Sequence, residues 1–245
     1  MENQITSDSS ASVLTELNDY YHSCHGAMAE SRNIFIQAGL KEAFLRFGLK
    51  LNILEVGFGT GLNALLTYQE AGKHQMDIWY TAIELHPVSP DLINYPMYAK
   101  ASGFPEHENV LQRMHELPFN VAGEITPTFV LEKRFIDIRD FSDNPYRYHL
   151  VYYDAFAPEV QPEMWTKEIF YRIHATMAPK GILVTSSTEK LVQRSLKSAG
   201  FSVEIIDLPL CSNRQMPRAI RELIFISSNA DFLNKLYNFF LKFMY

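Results

Sequence analysis

The stretch Glu55-Val56-Gly57-Phe58-Gly59-Thr60-Gly61-Leu62-Asn63 decides the fold. Before it, Leu51 to Val56 is a short apolar run that ends at glycine, which reads as a buried strand. After it, Leu62 to Ala71 reads as a helix opened by those glycines. A strand–glycine–helix turn leaves backbone N–H groups facing one spot, where the polar tail of a ligand can sit close. A dinucleotide fingerprint, G-x-G-x-x-G, would need glycine at position 62, and Leu62 stands there instead.

Working outward, further strands are predicted at Asp77 to Glu84, Phe129 to Ile136, His149 to Tyr153 and Ile182 to Thr185. Two more, Ser202 to Asp207 and Glu222 to Ser227, read as an antiparallel pair at a sheet edge. Helices are predicted over Lys41 to Phe47, Trp165 to Met177 and Glu189 to Ala199, the last stopped by Gly200. Ala178 to Gly181 reads as a turn, and five prolines between Pro87 and Pro118 cut residues 86–130 into short pieces. This alternation predicts an α/β fold: a doubly wound, mostly parallel sheet with an antiparallel edge hairpin. Residues 1–12 read as a flexible tail and 13–229 as a single domain. Residues 230–245 read as an amphipathic helix with Phe232, Leu236, Phe239, Phe240 and Phe243 at helical spacing.

The bulk numbers narrow the function. A chain of 245 residues with net charge -6 does not coat nucleic acid by charge alone. Two cysteines, Cys24 and Cys211, are too few for a disulfide scaffold. The opening residues lack a basic-then-apolar leader and no apolar run approaches a membrane span, so the cytoplasm is the expected compartment. His22, Cys24 and His25 match no zinc spacing, and no metal is expected. Between Lys180 and Arg221 there are seven basic residues (Lys180, Lys190, Arg194, Lys197, Arg214, Arg218 and Arg221) against Glu189, Glu204 and Asp207, a local net of +4 that can meet phosphates.

The spacing G-x-G-x-G, with Glu55 two residues before the first glycine, resembles motif I of class I S-adenosylmethionine-dependent methyltransferases. The resemblance implies a Rossmann-like sheet and S-adenosyl-L-methionine as cofactor. It implies a loop of Glu55, Gly57, Phe58, Gly59, Gly61 and Asn63 around the cofactor's methionine part. Glu84 ends the next strand, where a carboxylate can accept both ribose hydroxyls. Family resemblance puts Asp137 near the adenine amino nitrogen, with Asp140 close by as the alternative for that part. The strand His149 to Tyr153 delivers Asp154 to the carboxyl edge of the sheet, beside the glycine loop, where ligands bind in such folds; an ordinary helix N-cap is the bland alternative.

Four stretches together are more specific. These are Tyr20 to Ile36 (YYHSCHGAMAESRNIFI), Glu55 to Asn63, Asp154-Ala-Phe-Ala-Pro158 with Pro162-Glu-Met-Trp165-Thr, and Ala199-Gly-Phe201. They resemble the methyltransferase part of MnmC-type enzymes, which complete 5-methylaminomethyl-2-thiouridine at the tRNA wobble position. The resemblance implies a stand-alone methyltransferase acting on a 5-aminomethyl group in the tRNA anticodon loop. Asp154 is then the catalytic group, orienting the amine and taking its proton as well as bordering the cofactor. Phe156 is a candidate to stack on the base, with Trp165 more suited to the core. Arg214 and Arg218 are candidates for tRNA phosphates. Cys211 to Arg218 departs from the family's Lys-Arg-Glu-Met segment, and Thr185 to Lys190 lacks an expected aromatic and glycine. Those departures leave open a small-molecule methyltransferase, an aminopropyl-transferring relative, or a cofactor-binding protein without catalysis.

Overall fold

The structure, a computed structural model, describes residues 3–5, 11–13, 26–208 and 215–222. Where the sequence reads as a tail, Asn3–Ile5 (β1) and Ala11–Val13 (β2) pair antiparallel. The expected helix at 230–245 lies outside the described residues, as do His22, Cys24, His25 and Cys211.

The body is one eight-stranded sheet. Its strands are Lys50–Val56 (β3), Asp77–Glu84 (β4), Ala122–Thr126 (β5), Phe129–Phe135 (β6), Tyr148–Tyr153 (β7), Met177–Thr185 (β8), Phe201–Asp207 (β9) and Gln215–Arg221 (β10). They lie in the order β5-β6-β4-β3-β7-β8-β10-β9. The five strands from β6 to β8 run parallel, while β5 and β10 are antiparallel to their neighbours. This is the doubly wound, Rossmann-like arrangement expected of a class I methyltransferase, with an antiparallel hairpin at its edge.

Successive residues of the central strands face opposite sides, and both sides are covered. Ile53, Tyr80, Leu150, Tyr152 and Val184 belong to one core, and Leu54, Val56, Val151, Tyr153 and Leu183 to the other. That is why these strands read as continuous apolar runs. The first core takes a continuous helical stretch of Ala27–Ser31 (α1), a π-helical segment over Arg32–Leu40, and Lys41–Phe47 (α2). It also takes Leu62–His74 (α3), Tyr95–Ala101 (α4) and Glu108–Glu116 (α5). The second core takes Lys167–Thr176 (α6) and Lys190–Ser198 (α7).

Beyond shifts of a few residues at element ends, three features of the sheet differ from the sequence reading. The expected turn at 178–181 is part of β8, as an irregularity against β7 with Lys180 at φ 63°. The partner of β9 is Gln215–Arg221, ahead of the expected Glu222 to Ser227. It contains Pro217, which precedes Arg218 to Ile220, the residues that pair with β8, so the missing N–H removes no bond from that ladder. The third is β5, absent from the sequence reading.

Candidate active site

Strands β3 and β7 are parallel neighbours with Val56 opposite Tyr153, so the residues that follow, Gly57 and Asp154, leave the sheet side by side. The Asp154 N–H donates to the Val56 carbonyl at 3.0 Å, and the Gly57 N–H to the Ile83 carbonyl at 2.9 Å. A Cβ on Gly57 would lie 2.6 Å from the Asp154 carbonyl oxygen, and its φ of +91° disfavours any side chain. Only glycine lets these two strand ends approach this closely.

Next to them, β4 delivers Glu84. Its Oε2 accepts the Gly59 N–H at 3.0 Å and its Oε1 accepts the His86 N–H at 2.8 Å. Each oxygen keeps a lone pair for another donor. One residue into α3, the Asn63 Nδ2 donates to Glu55 Oε1 at 3.0 Å and to Asp154 Oδ2 at 2.8 Å. Glu55 is fully buried, and burial, reinforced by the nearby Asp154 carboxylate, holds its carboxyl well above the usual range. Burial likewise pushes Asp154 up to about 7; the Asn63 hydrogen bond opposes that rise and Glu30 adds to it.

A cavity of about 870 Å³ opens over these groups, large enough for a nucleoside-sized ligand with room for a second. Gly57, Glu84, Asp137, Asp154 and Phe156 all line it. Asp137 enters the wall already held: Arg139 donates to both its oxygens through Nε, and this pairing keeps the carboxyl below its ordinary value. Six carboxyl groups border the cavity (Glu30, Glu84, Asp137, Asp154, Glu163 and Glu189), against Arg139 and His86 as the basic residues of the lining.

The other expected residues do not reach this wall. Glu55 and Asn63 sit beneath it, acting through Asp154. Phe58 turns away, packing on His115 with ring centroids 5.1 Å apart. Gly59 meets the cavity only through Glu84, and Gly61 faces His115 and Leu111. Arg218, expected to meet substrate, is spent on ion pairs with Glu204 and Glu42. Its place opposite Glu204 in the β9–β10 ladder fixes that pairing, which the sequence cannot show. Arg214 lies outside the described residues. Trp165 is buried against Tyr153 and Phe170 as the core reading expects, although one edge also borders the cavity.

Sequence reasoning missed two groups. Glu30, Ser31 and Phe35 bring the first helical stretch over the cavity, and Ser186 to Glu189 close it after β8. The rule that ligands sit beyond the carboxyl ends of parallel strands points to the second group. Also unanticipated is the support behind the glycine loop. His115 Nε2 lies 3.0 Å from the Thr60 carbonyl, and the buried Lys133 donates to the His115 carbonyl at 2.7 Å while facing the rings of Phe58 and Phe119. Burial drives the His115 imidazole down to about 4, so it is neutral and donates from Nε2.

Among the described residues, no helix is long and apolar enough to cross a membrane, and no cluster of His, Cys, Asp or Glu has the makings of a metal site.

Comparison with known proteins agrees with this geometry. A family described as S-adenosyl-L-methionine-dependent methyltransferase matches residues 106–221. The chain is 29% identical over 210 residues to the tRNA 5-methylaminomethyl-2-thiouridine biosynthesis bifunctional protein MnmC of Burkholderia mallei (strain SAVP1), a match covering 77% of the chain. The protein of the same description from Burkholderia pseudomallei (strain K96243) is 28% identical over the same share. The chain spans 31% of the length of each of these relatives. The crystal structure of MNMC2 from Aquifex aeolicus shares the fold, with a TM-score of 0.65 and 24% identity over 91% of this chain and 70% of that one. The chain is thus similar to MnmC over 210 residues, and its residues 106–221 match the S-adenosyl-L-methionine-dependent methyltransferase family.

Proposed function

We propose that this chain transfers the methyl group of S-adenosyl-L-methionine to the primary amine of a 5-aminomethyl (thio)uridine at the wobble position of tRNA. The observation that carries this reading is the acidic cavity around Asp154, set beside Gly57 at the strand ends. Such a wall suits two cations at once, a sulfonium and an ammonium, and the relatives' own names supply the nucleoside. We also take residues 13–229 to form one methyltransferase domain.

The residues fit the cofactor. Gly57 lines the cavity without a side chain, and the free lone pairs of Glu84 match the two hydroxyls of a ribose. Asp137 keeps acceptor capacity for an amino group beside Arg139. When bound, S-adenosyl-L-methionine supplies a methyl group already activated on a sulfonium.

The chain's own work is alignment and a proton transfer. An alkylamine resembles lysine, with a pKa of about 10, and arrives as ammonium. The ionised Asp154 attracts it and accepts one N–H proton, which would leave a neutral nitrogen able to take the methyl group as its bond to sulfur breaks and the thioether departs. Asn63 holds the carboxylate in place through Oδ2, which leaves Oδ1 for the amine. Phe156 offers a face on which the base can stack.

The test is incubation with S-adenosyl-L-methionine and tRNA bearing 5-aminomethyluridine, followed by mass spectrometry of the nucleosides. A gain of one methyl on that nucleoside is the expected result. Methylation of a small free amine with none of the tRNA would overturn the reading.

A further inference from the structure

The seven basic residues between Lys180 and Arg221 separate into two sets once the fold is known. Lys180 pairs with Glu222, Arg218 with Glu204 and Glu42, and Arg221 donates to the Met177 carbonyl while stacking on Tyr146. Arg214 lies outside the described residues. Lys190, Arg194 and Lys197 remain. All three are exposed on α7 and, among the described residues, none is in an ion pair with a carboxylate.

Their spacing of four and three residues puts them on one face of the helix. At 1.5 Å per residue the stripe is about 10 Å long. No acidic residue lies on α7, and Val192 and Leu196 bury the opposite face. The helix starts where the cavity ends, since Ser186 to Glu189 line the cavity and Lys190 follows directly. At that mouth Glu189 faces Glu159, and burial together with that neighbouring carboxyl raises the Glu189 carboxyl above its ordinary value. The neighbouring α6, which packs against α7, adds the exposed Lys167 and Arg172 against Glu168, with Tyr171 exposed beside them.

We infer that the face of α7 bearing Lys190, Arg194 and Lys197 docks the phosphate backbone of the RNA whose base enters the cavity. This rests on the tRNA reading above. Charge separates the two ends of the substrate: the acidic cavity repels phosphate and admits the amine, and the basic stripe just outside holds the backbone. The net charge of -6 does not prevent this, because acids more than about 10 Å away are screened at ordinary ionic strength.

The experiment uses the full chain and a fluorescent anticodon stem-loop carrying 5-aminomethyluridine, with affinity read by anisotropy across a salt series. The triple variant Lys190→Gln/Arg194→Gln/Lys197→Gln should bind about tenfold or more weakly at low salt. Its slope of log affinity against log salt should shrink by about 2, at roughly 0.7 per single-strand phosphate contact. Calorimetric affinity for S-adenosylhomocysteine should stay unchanged, which shows that the variant is folded. Lys50→Gln, at the start of β3 and away from the cavity, should bind RNA like wild type. If wild type binds the stem-loop and the triple variant matches it in affinity and slope, the docking surface is elsewhere and this inference falls alone. If wild type does not bind the stem-loop, both the inference and the tRNA reading fall.

Discussion

Glu55 and Asp154 meet on a single nitrogen: Asn63 Nδ2 gives one hydrogen to each carboxyl, at 3.0 and 2.8 Å. Two carboxylates this close do not both ionise in a buried site. The fully buried Glu55 keeps the proton, and Asp154, which borders the cavity, is the one that titrates near neutrality. Activity should therefore rise as pH passes about 7. Glu55→Gln preserves shape and neutrality, so it should leave that limb of the pH–rate profile in place. A limb moved down by a full unit in this variant would show that Glu55 is charged.

Asp154→Asn keeps an oxygen for Asn63 but cannot take the proton. Turnover on the aminomethylated tRNA should fall roughly 100- to 10,000-fold in a single-turnover assay. Affinity for S-adenosylhomocysteine should change little. Near-normal turnover would remove Asp154 from proton transfer.

The same carboxyl links stability to pH. Asp154 is raised from 3.8 to about 7 in the folded chain, so between those values the folded state binds more protons than the unfolded. Its contribution is fully present below pH 4 and is lost as pH rises through about 7. Urea denaturation should show Asp154→Asn gaining on wild type between pH 5 and pH 8, by about 2–4 kcal/mol. A pH-independent difference would contradict the raised value.

Glu84→Ala removes the acceptor of two backbone N–H groups along with the proposed ribose contacts. Cofactor affinity should drop by about 2–4 kcal/mol in calorimetry, with no gain in affinity for NAD. Gly57→Ala should abolish cofactor binding more completely, because its methyl group meets the Asp154 carbonyl at 2.6 Å in a left-handed backbone.

Much of this was legible beforehand, for reasons particular residues make plain. Strand β4 is bounded as expected because between Asp77 and Glu84 five of six residues favour strand. The cavity's Gly57, Glu84 and Asp154 were visible because each ends a parallel strand, and sequence order maps onto one sheet edge. Strand β5 was hidden by Gly123 and Glu124, residues that read against a strand until their pairing with β6 is known. Strand β10 was misplaced because Pro217 reads as a breaker until its register is known. The fate of Arg218, set by a cross-strand partner and by Glu42 on a distant helix, depends on contacts that local sequence does not encode.

The support of His115 and Lys133 behind Thr60 and Phe58 bears on timing as well as shape. A glycine loop left to itself would sample many conformations, and each arriving ligand would have to freeze it. Here an uncharged imidazole and a buried ammonium keep it set beforehand, so the entropy of ordering is lost during folding rather than at the encounter. Cofactor uptake should then be limited by diffusion into the cavity, with stopped-flow binding showing one phase whose rate grows linearly with ligand concentration.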